Sequence, residues 1–98
     1  MASGVQMMKT GAIAGTGSAI DVTVVGFRPR RVDLFNGDGT TVAFWTDTMA
    51  DAAGVKIVTA GTISVMTAGI TPLCNGFTIG TDADLNASGE VINWVAYE

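Results

Sequence analysis

The sequence predicts an all-β fold: a compact antiparallel β-sandwich or jelly-roll-like barrel of about seven or eight short strands. Three observations carry that reading. Short runs rich in Val, Ile and Thr alternate apolar and polar residues with period two. Glycine, present 13 times, cuts these runs at close intervals, while proline occurs only twice. No stretch sustains the i, i+3, i+4, i+7 spacing of a long amphipathic helix.

Taken in order, the first strand is expected over Val5–Ile13 and ends at the break Gly15-Thr16-Gly17-Ser18. Ile20-Asp21-Val22-Thr23-Val24 alternates cleanly, with Ile20, Val22 and Val24 on one face, and reads as a half-buried strand. Pro29 cannot donate to a ladder and stops it. Arg30–Asn36 is the next strand, with Val32 and Leu34 inward. Asn36-Gly37-Asp38-Gly39 is the strongest turn signal, because Asn, Asp and Gly tolerate positive φ. Thr40–Thr46 should return antiparallel, with Val42 and Phe44 on one face and Ala43 and Trp45 on the other. Asp47–Gly54 is the only candidate for a helical turn, capped by Asp47 or Thr48 and ended by Gly54, the other reading being a plain loop. Val55–Thr59 and Ile63–Met66 pair around Ala60-Gly61, and a loop follows through Pro72, Cys74, Asn75 and Gly76. Phe77–Ile79 is a short strand and Asn86-Ala87-Ser88-Gly89 a turn. The last strand, Val91–Tyr97, carries Val91, Val95 and Tyr97 against Ile92, Trp94 and Ala96. The whole chain, residues 1–98, reads as one β domain, with 1–15 an arm or edge strand that contacts a partner.

Composition argues for assembly. Charged residues make up 14% of the chain and hydrophobic residues 48%, with a mean hydropathy of +0.42. An ordinary soluble domain has about 25% charged residues. A domain of this size should expose roughly 5,200 Å² when folded, proportionally more surface than a large one, and so should be more polar than average. This chain is less polar, so part of its exterior is expected to be covered in the working state. The strands with two apolar faces locate the excess. A single core does not easily take both faces of the strands bearing Trp45 and Trp94, and a Trp left wet forgoes several kcal/mol, at about 25 cal/mol per Å². Trp45, Trp94 and Tyr97 are therefore the expected oligomer-interface residues. The other reading is a curved sheet whose second face is covered by its own loops.

The same composition excludes several functions. Histidine is absent, which removes His-based acid–base catalysis, serine-type triads and histidine metal sites. Cys74 is the only cysteine, so neither a disulfide framework nor a multi-Cys metal site is available, and no histidine is present to activate its thiol. A net charge of −4 gives no basic footprint for nucleic acid. Met1-Ala2-Ser3-Gly4 lacks the basic and apolar regions of a secretory leader, and no apolar run reaches the roughly 18 residues of a membrane span. No enzyme activity and no cofactor are expected.

Few local motifs remain. Asp82-x-Asp84-x-Asn86 has the oxygen-ligand spacing of a calcium loop, but Ala87 and Asn93 stand where an EF-hand needs Gly and Glu. Asn86-Ala87-Ser88 fits a glycosylation acceptor by pattern alone. Arg28-Pro29-Arg30-Arg31 holds three of the five cationic residues. Arg28, Arg30 and Arg31 are candidates for contact with acidic groups of a partner, since Arg binds carboxylates bidentately; the alternative is a solvated strand entry.

Gly26-Phe27-x-Pro29-x-x-Val32-x-Leu34-x-Asn36 resembles a segment that recurs in small tailed-bacteriophage virion proteins. So do Gly76-Phe77-Thr78-Ile79-Gly80, Leu85-Asn86-x-x-Gly89 and Trp94-x-Ala96, and together these segments span most of 26–98. The resemblance implies a β-rich, homotrimeric structural protein without catalysis. Its first form is a capsid decoration, or cement, protein that binds the major capsid protein on the outer surface of the assembled head and stabilises it. Such a chain is made in the bacterial host cytoplasm and ends on the virion. The shell contact would come from the segment through Ile13 or from the Arg28–Arg31 cluster. The alternatives are a tail-fibre or host-recognition module that binds cell-surface carbohydrate through aromatics such as Trp45 or Tyr97, or another tail structural subunit.

Overall fold

The computed structural model describes residues 7–58 and 61–98. Eight strands are present, β1 (Met8–Ala14), β2 (Ile20–Val22), β3 (Arg31–Asn36), β4 (Thr41–Thr46), β5 (Ala53–Ile57), β6 (Ile63–Leu73), β7 (Gly76–Ile79) and β8 (Val91–Tyr97). They make 54% strand and no helix among the described residues. All eight belong to one antiparallel sheet in the order β1-β8-β3-β4-β5-β6-β7-β2, curled into a half-barrel. The all-β reading holds, with one continuous sheet doing the work of two layers.

The strand β3 and its return β4 form the centre of the fold. Asn36-Gly37-Asp38-Gly39 turns between them, with Asn36 Oδ1 accepting the Gly39 N–H at 2.9 Å. Val32 and Leu34 face inward, as do Ala43 and Trp45 across the register Val32↔Trp45 and Leu34↔Ala43. On the other side of β3, Leu34 faces Trp94 of β8, whose indole meets the Phe77 ring edge-on at 5.5 Å between centroids. Leu34, Ile70, Phe77, Ile79, Leu85 and Ile92 are fully buried. Each such side chain contributes about 1.5–3 kcal/mol relative to exposure.

A single irregularity bends the sheet. On β6, Ile70 pairs with Ala53 and Val65 with Val55, so Met66–Gly69 stand against Gly54 alone. This bulge lets the first half of β6 pair with β5 and the second half with β7. Gly54 has φ of 119°, and a Cβ there would press on the Phe44 carbonyl at 2.9 Å, so only glycine fits the corner.

Several expectations are corrected. Of the two readings of Asp47–Gly54 the loop holds and the helical turn does not: two hydrogen-bonded turns, Met49 N–H to Thr46 O and Ala53 N–H to Ala50 O, lead into β5, which already includes Ala53 and Gly54. Val24 is 65% exposed, because β2 ends at Val22 and the chain turns so that Val25 and Phe27 enter the core. The segment through Pro72 is strand, not loop. The Gly80 N–H bonds Gly69 O, which puts the odd residues of β6 in the hydrogen-bonded pairs with β7. The N–H that Pro72 lacks would therefore have pointed away from β7, and nothing is lost there. The first strand begins at Met8; its expected start at Val5 and Gln6 lies outside the described residues. Within the expected arm 1–15, β1 is an edge strand paired only with β8.

Candidate functional surface

The most unusual surface is the outer face of β3–β6. The register aligns Phe35 with Val42, Val42 with Ile57 and Ile57 with Ile63. One row further along, Asp33 is aligned with Phe44, Phe44 with Val55 and Val55 with Val65. Directly opposed residues on adjacent strands lie with Cβ atoms about 5 Å apart, so the first row is apolar throughout and the second is apolar from Phe44 to Val65. Ile63 and Val65 are 69% and 72% exposed and Phe35 is 37% exposed, while Val42, Phe44, Val55 and Ile57 are half-buried.

The only charge in these rows is neutralised. Asp33, 5% exposed, accepts a hydrogen bond from Arg31 Nε at 3.0 Å. That hydrogen bond and the charge of Asp33 hold the Arg31 guanidinium above its ordinary range. The same guanidinium lies over the Tyr97 ring, 5.5 Å from its centroid. Arg31, Thr46 and Tyr97 share one cross-strand row, a polar border to the apolar face.

The tryptophans are elsewhere. Trp45 and Trp94 are 1% and 3% exposed, inside the chain's own core, which corrects their expected place at an oligomer interface. The curl of the half-barrel makes room for both indoles, and Trp45 Nε1 donates to Ala50 O at 3.2 Å. Tyr97 is half-buried on the outer side of β8. The residues missed by sequence reasoning are Phe35, Val55, Ile57, Ile63 and Val65. Their signal was present: Val55-x-Ile57 and Ile63-x-Val65 repeat the spacing of Val42-x-Phe44, and aligning the three pairs as neighbours gives the rows.

The polar motifs hold loops together. Lys56 Nζ donates to Asp82 Oδ2 at 2.9 Å and Asp84 Oδ2 at 2.8 Å, so the acidic pair with calcium-like spacing already has a cation. Hydrogen bonds to Asp84 and Asp82 raise the Lys56 ammonium above its usual pKa. Asn86 is 1% exposed; its Oδ1 accepts the Thr16 and Gly17 N–H groups, and its Nδ2 donates to Ser18 O and Gly80 O. A buried amide with both ends occupied cannot accept a glycan. Asn36 Nδ2 likewise bonds Leu85 O and Glu90 Oε1.

Of the three arginines, Arg31 is spent on Asp33 and Tyr97. Arg28 and Arg30 are exposed in the β2–β3 connection and make no ion pair among the described residues. Cys74 is exposed at the β6–β7 turn. A cleft of about 320 Å³ separates the two free edges of the sheet, β1 and β2, and is lined by Gly11, Ile13, Val22, Val24 and Trp94. Gly11 sits so close over Trp94 that a Cβ would collide with the indole.

No protein-family model, curated protein or solved structure matches this chain.

Proposed function

We propose that this chain is a non-catalytic structural protein of a bacteriophage virion, a decoration protein that covers and stabilises the outer surface of the assembled head. The observation that supports the reading is the apolar outer face of β3–β6, which a 10.0 kDa chain leaves outside its own core. Such a face suits a part of a larger assembly. The sequence resemblance supplies the kind of assembly. The mechanism is linkage: a ligand that binds only the assembled shell stabilises it by RT ln(1 + [L]/Kd) per site. Arg28 and Arg30, exposed and without ion pairs in the described residues, are the groups that would meet acidic side chains of the major capsid protein. Burial of Trp45 removes one of the aromatics on which a carbohydrate-binding tail module would have relied.

The test is immunogold electron microscopy of the virions whose genome encodes the chain. Label over the heads is the expected result. Label confined to tails or fibres, or absent from virions, would overturn the reading. Reversing Arg28 and Arg30 to Glu should lower head occupancy; unchanged occupancy would move the contact elsewhere on the chain.

A further inference from the structure

We propose that Asn75 is a site of spontaneous covalent modification, where the Asn75-Gly76 step closes to a succinimide and opens to aspartate or isoaspartate. The proposal goes beyond the proposed function and needs no partner. Of the four asparagines, only Asn36 and Asn75 precede glycine, whose lack of a side chain leaves its nitrogen open to the neighbouring amide. The reaction balances with water alone. The Gly76 main-chain nitrogen gives up its proton to solvent and bonds to Asn75 Cγ, and Nδ2 leaves as ammonia. Water then adds to one of the two ring carbonyls, which breaks that carbonyl's bond to nitrogen and leaves a carboxylate. Nothing is oxidised or reduced, and the chain becomes one charge more negative than its −4.

The fold treats the two Asn-Gly steps oppositely. Asn36 is 1% exposed; its Oδ1 accepts the Gly39 N–H at 2.9 Å, and its Nδ2 donates to Leu85 O at 3.1 Å and Glu90 Oε1 at 2.9 Å. Loss of ammonia there would take the donor from both acceptors, at the cost of unmade buried hydrogen bonds. Asn75 is exposed in the two-residue turn between β6 and β7. Its Oδ1 meets only the Cys74 thiol, at 4.0 Å, and no hydrogen bond fixes its Nδ2 among the described residues. The register Leu73↔Gly76 puts the Gly76 N–H in the pair that closes the turn, so the attack waits on the opening of that one turn. At Asn36 it waits on the dismantling of a buried network.

The two products differ in what they do to the sheet. Aspartate at position 75 adds a charge in water and leaves the main chain unchanged. Isoaspartate routes the main chain through Cβ and Cγ, one atom longer, in a turn with no slack. Gly76 lies so close to the Val22 carbonyl that even a Cβ would collide with it. The Asn75 carbonyl also accepts the Gly26 N–H at 3.1 Å, which anchors the connection that leads to Phe27 and Arg28. A longer turn therefore displaces Gly26 or pushes β2, only three residues long, off β7.

The experiment is incubation of the full chain at mildly alkaline pH, followed by peptide mapping with mass spectrometry, which reads both steps in one sample. The Asn75 peptide should gain one mass unit and accept methyl groups from a protein isoaspartyl methyltransferase. The Asn36 peptide should react roughly tenfold more slowly, or slower still, while the chain is folded. In urea the two should react at similar rates, because the fold and not the dipeptide sets the difference. Asn75→Gln should not react, since its longer side chain disfavours a five-membered ring; position 75 is exposed, so the variant keeps the wild-type fold. Asn75→Asp should keep the wild-type urea midpoint, and the isoaspartate form, separated by chromatography, should have a lower one. A native chain that stays intact at Asn75 while the unfolded chain reacts there would overturn the proposal. So would native Asn36 reacting as fast as Asn75, or a mass gain that persists in Asn75→Gln. Equal midpoints of the aspartate and isoaspartate forms would overturn the assigned displacement at Gly26 and β2.

Discussion

Strand β4 presents two faces of similar greasiness with opposite fates. Ala43 and Trp45 point into the half-barrel and are buried at 0% and 1% exposure, whereas Val42 and Phe44 point outward and are half-buried. The inner face is closed by three-dimensional packing: Trp45 lies beside Val32 and reaches Ala50 O with its N–H. The outer face leaves Phe35, Ile63 and Val65 exposed. Hydrophobicity alone therefore does not separate the core from the outer face. What separates them here is that the larger aromatic, whose polar N–H needs a partner, is inside where one exists, and the purely apolar residues are outside where none is needed.

Substitutions on the two faces should break this symmetry in order of size. Trp45→Ala, on the inner face, removes the largest fully buried side chain and should cost about 3–5 kcal/mol of unfolding free energy by urea titration. Phe44→Ala, its outward neighbour, should cost only about 1–2 kcal/mol in dilute solution, because that ring lies outside the core and is only partly buried. Equal losses at the two positions would mean that the outer face is packed in the monomer.

The loops sharpen the comparison from the polar side. Lys56→Met leaves Asp82 and Asp84 together without their cation and should cost about 1–3 kcal/mol near neutral pH. Its pH dependence has a definite sign. The folded pKa of Lys56 is raised above the unfolded value of about 10.4, so its contribution is fully present below that pH. It is lost as pH rises through the folded pKa. Wild type should then lose more stability between neutral and strongly alkaline pH than Lys56→Met does, and parallel pH curves would contradict the assignment. The smallest effect is expected at Val65→Thr, within about 0.5 kcal/mol in the dilute chain, since this side chain is 72% exposed.

Much of the inner architecture could be read from residues. The turn at Asn36–Gly39, the antiparallel β3–β4 pair and the division of β4 and β8 into faces all follow from period two and turn chemistry. Which face of a two-faced strand turns inward could not be read, because a one-residue shift in register exchanges two apolar sets of equal appearance. For that reason Trp45 and Trp94 were expected outside and stand inside. The continuation of β6 through Pro72 was hidden by a similar ambiguity: proline ends a strand only where its N–H is needed, and that depends on a pairing partner 5 residues further along, Phe77. Of the candidate surface, Val42 and Phe44 were visible as a second apolar face. The pairing of Val55 and Ile57 with Val65 and Ile63 was legible as a hairpin, but which of its faces stands outside the core was not, because that is fixed by the register of β5 against β4.

The most direct test of a covered outer face is the rate of thiol labelling in a Cys74→Ser background, comparing Val65→Cys on the face with Val24→Cys beside the sheet edge. Both positions are open in the single chain. Position 65 should be protected at high protein concentration and become reactive on dilution, while position 24 labels at one rate throughout. Equal labelling of the two thiols at every concentration would show the face bare, and the account of it as covered in the working state would fail.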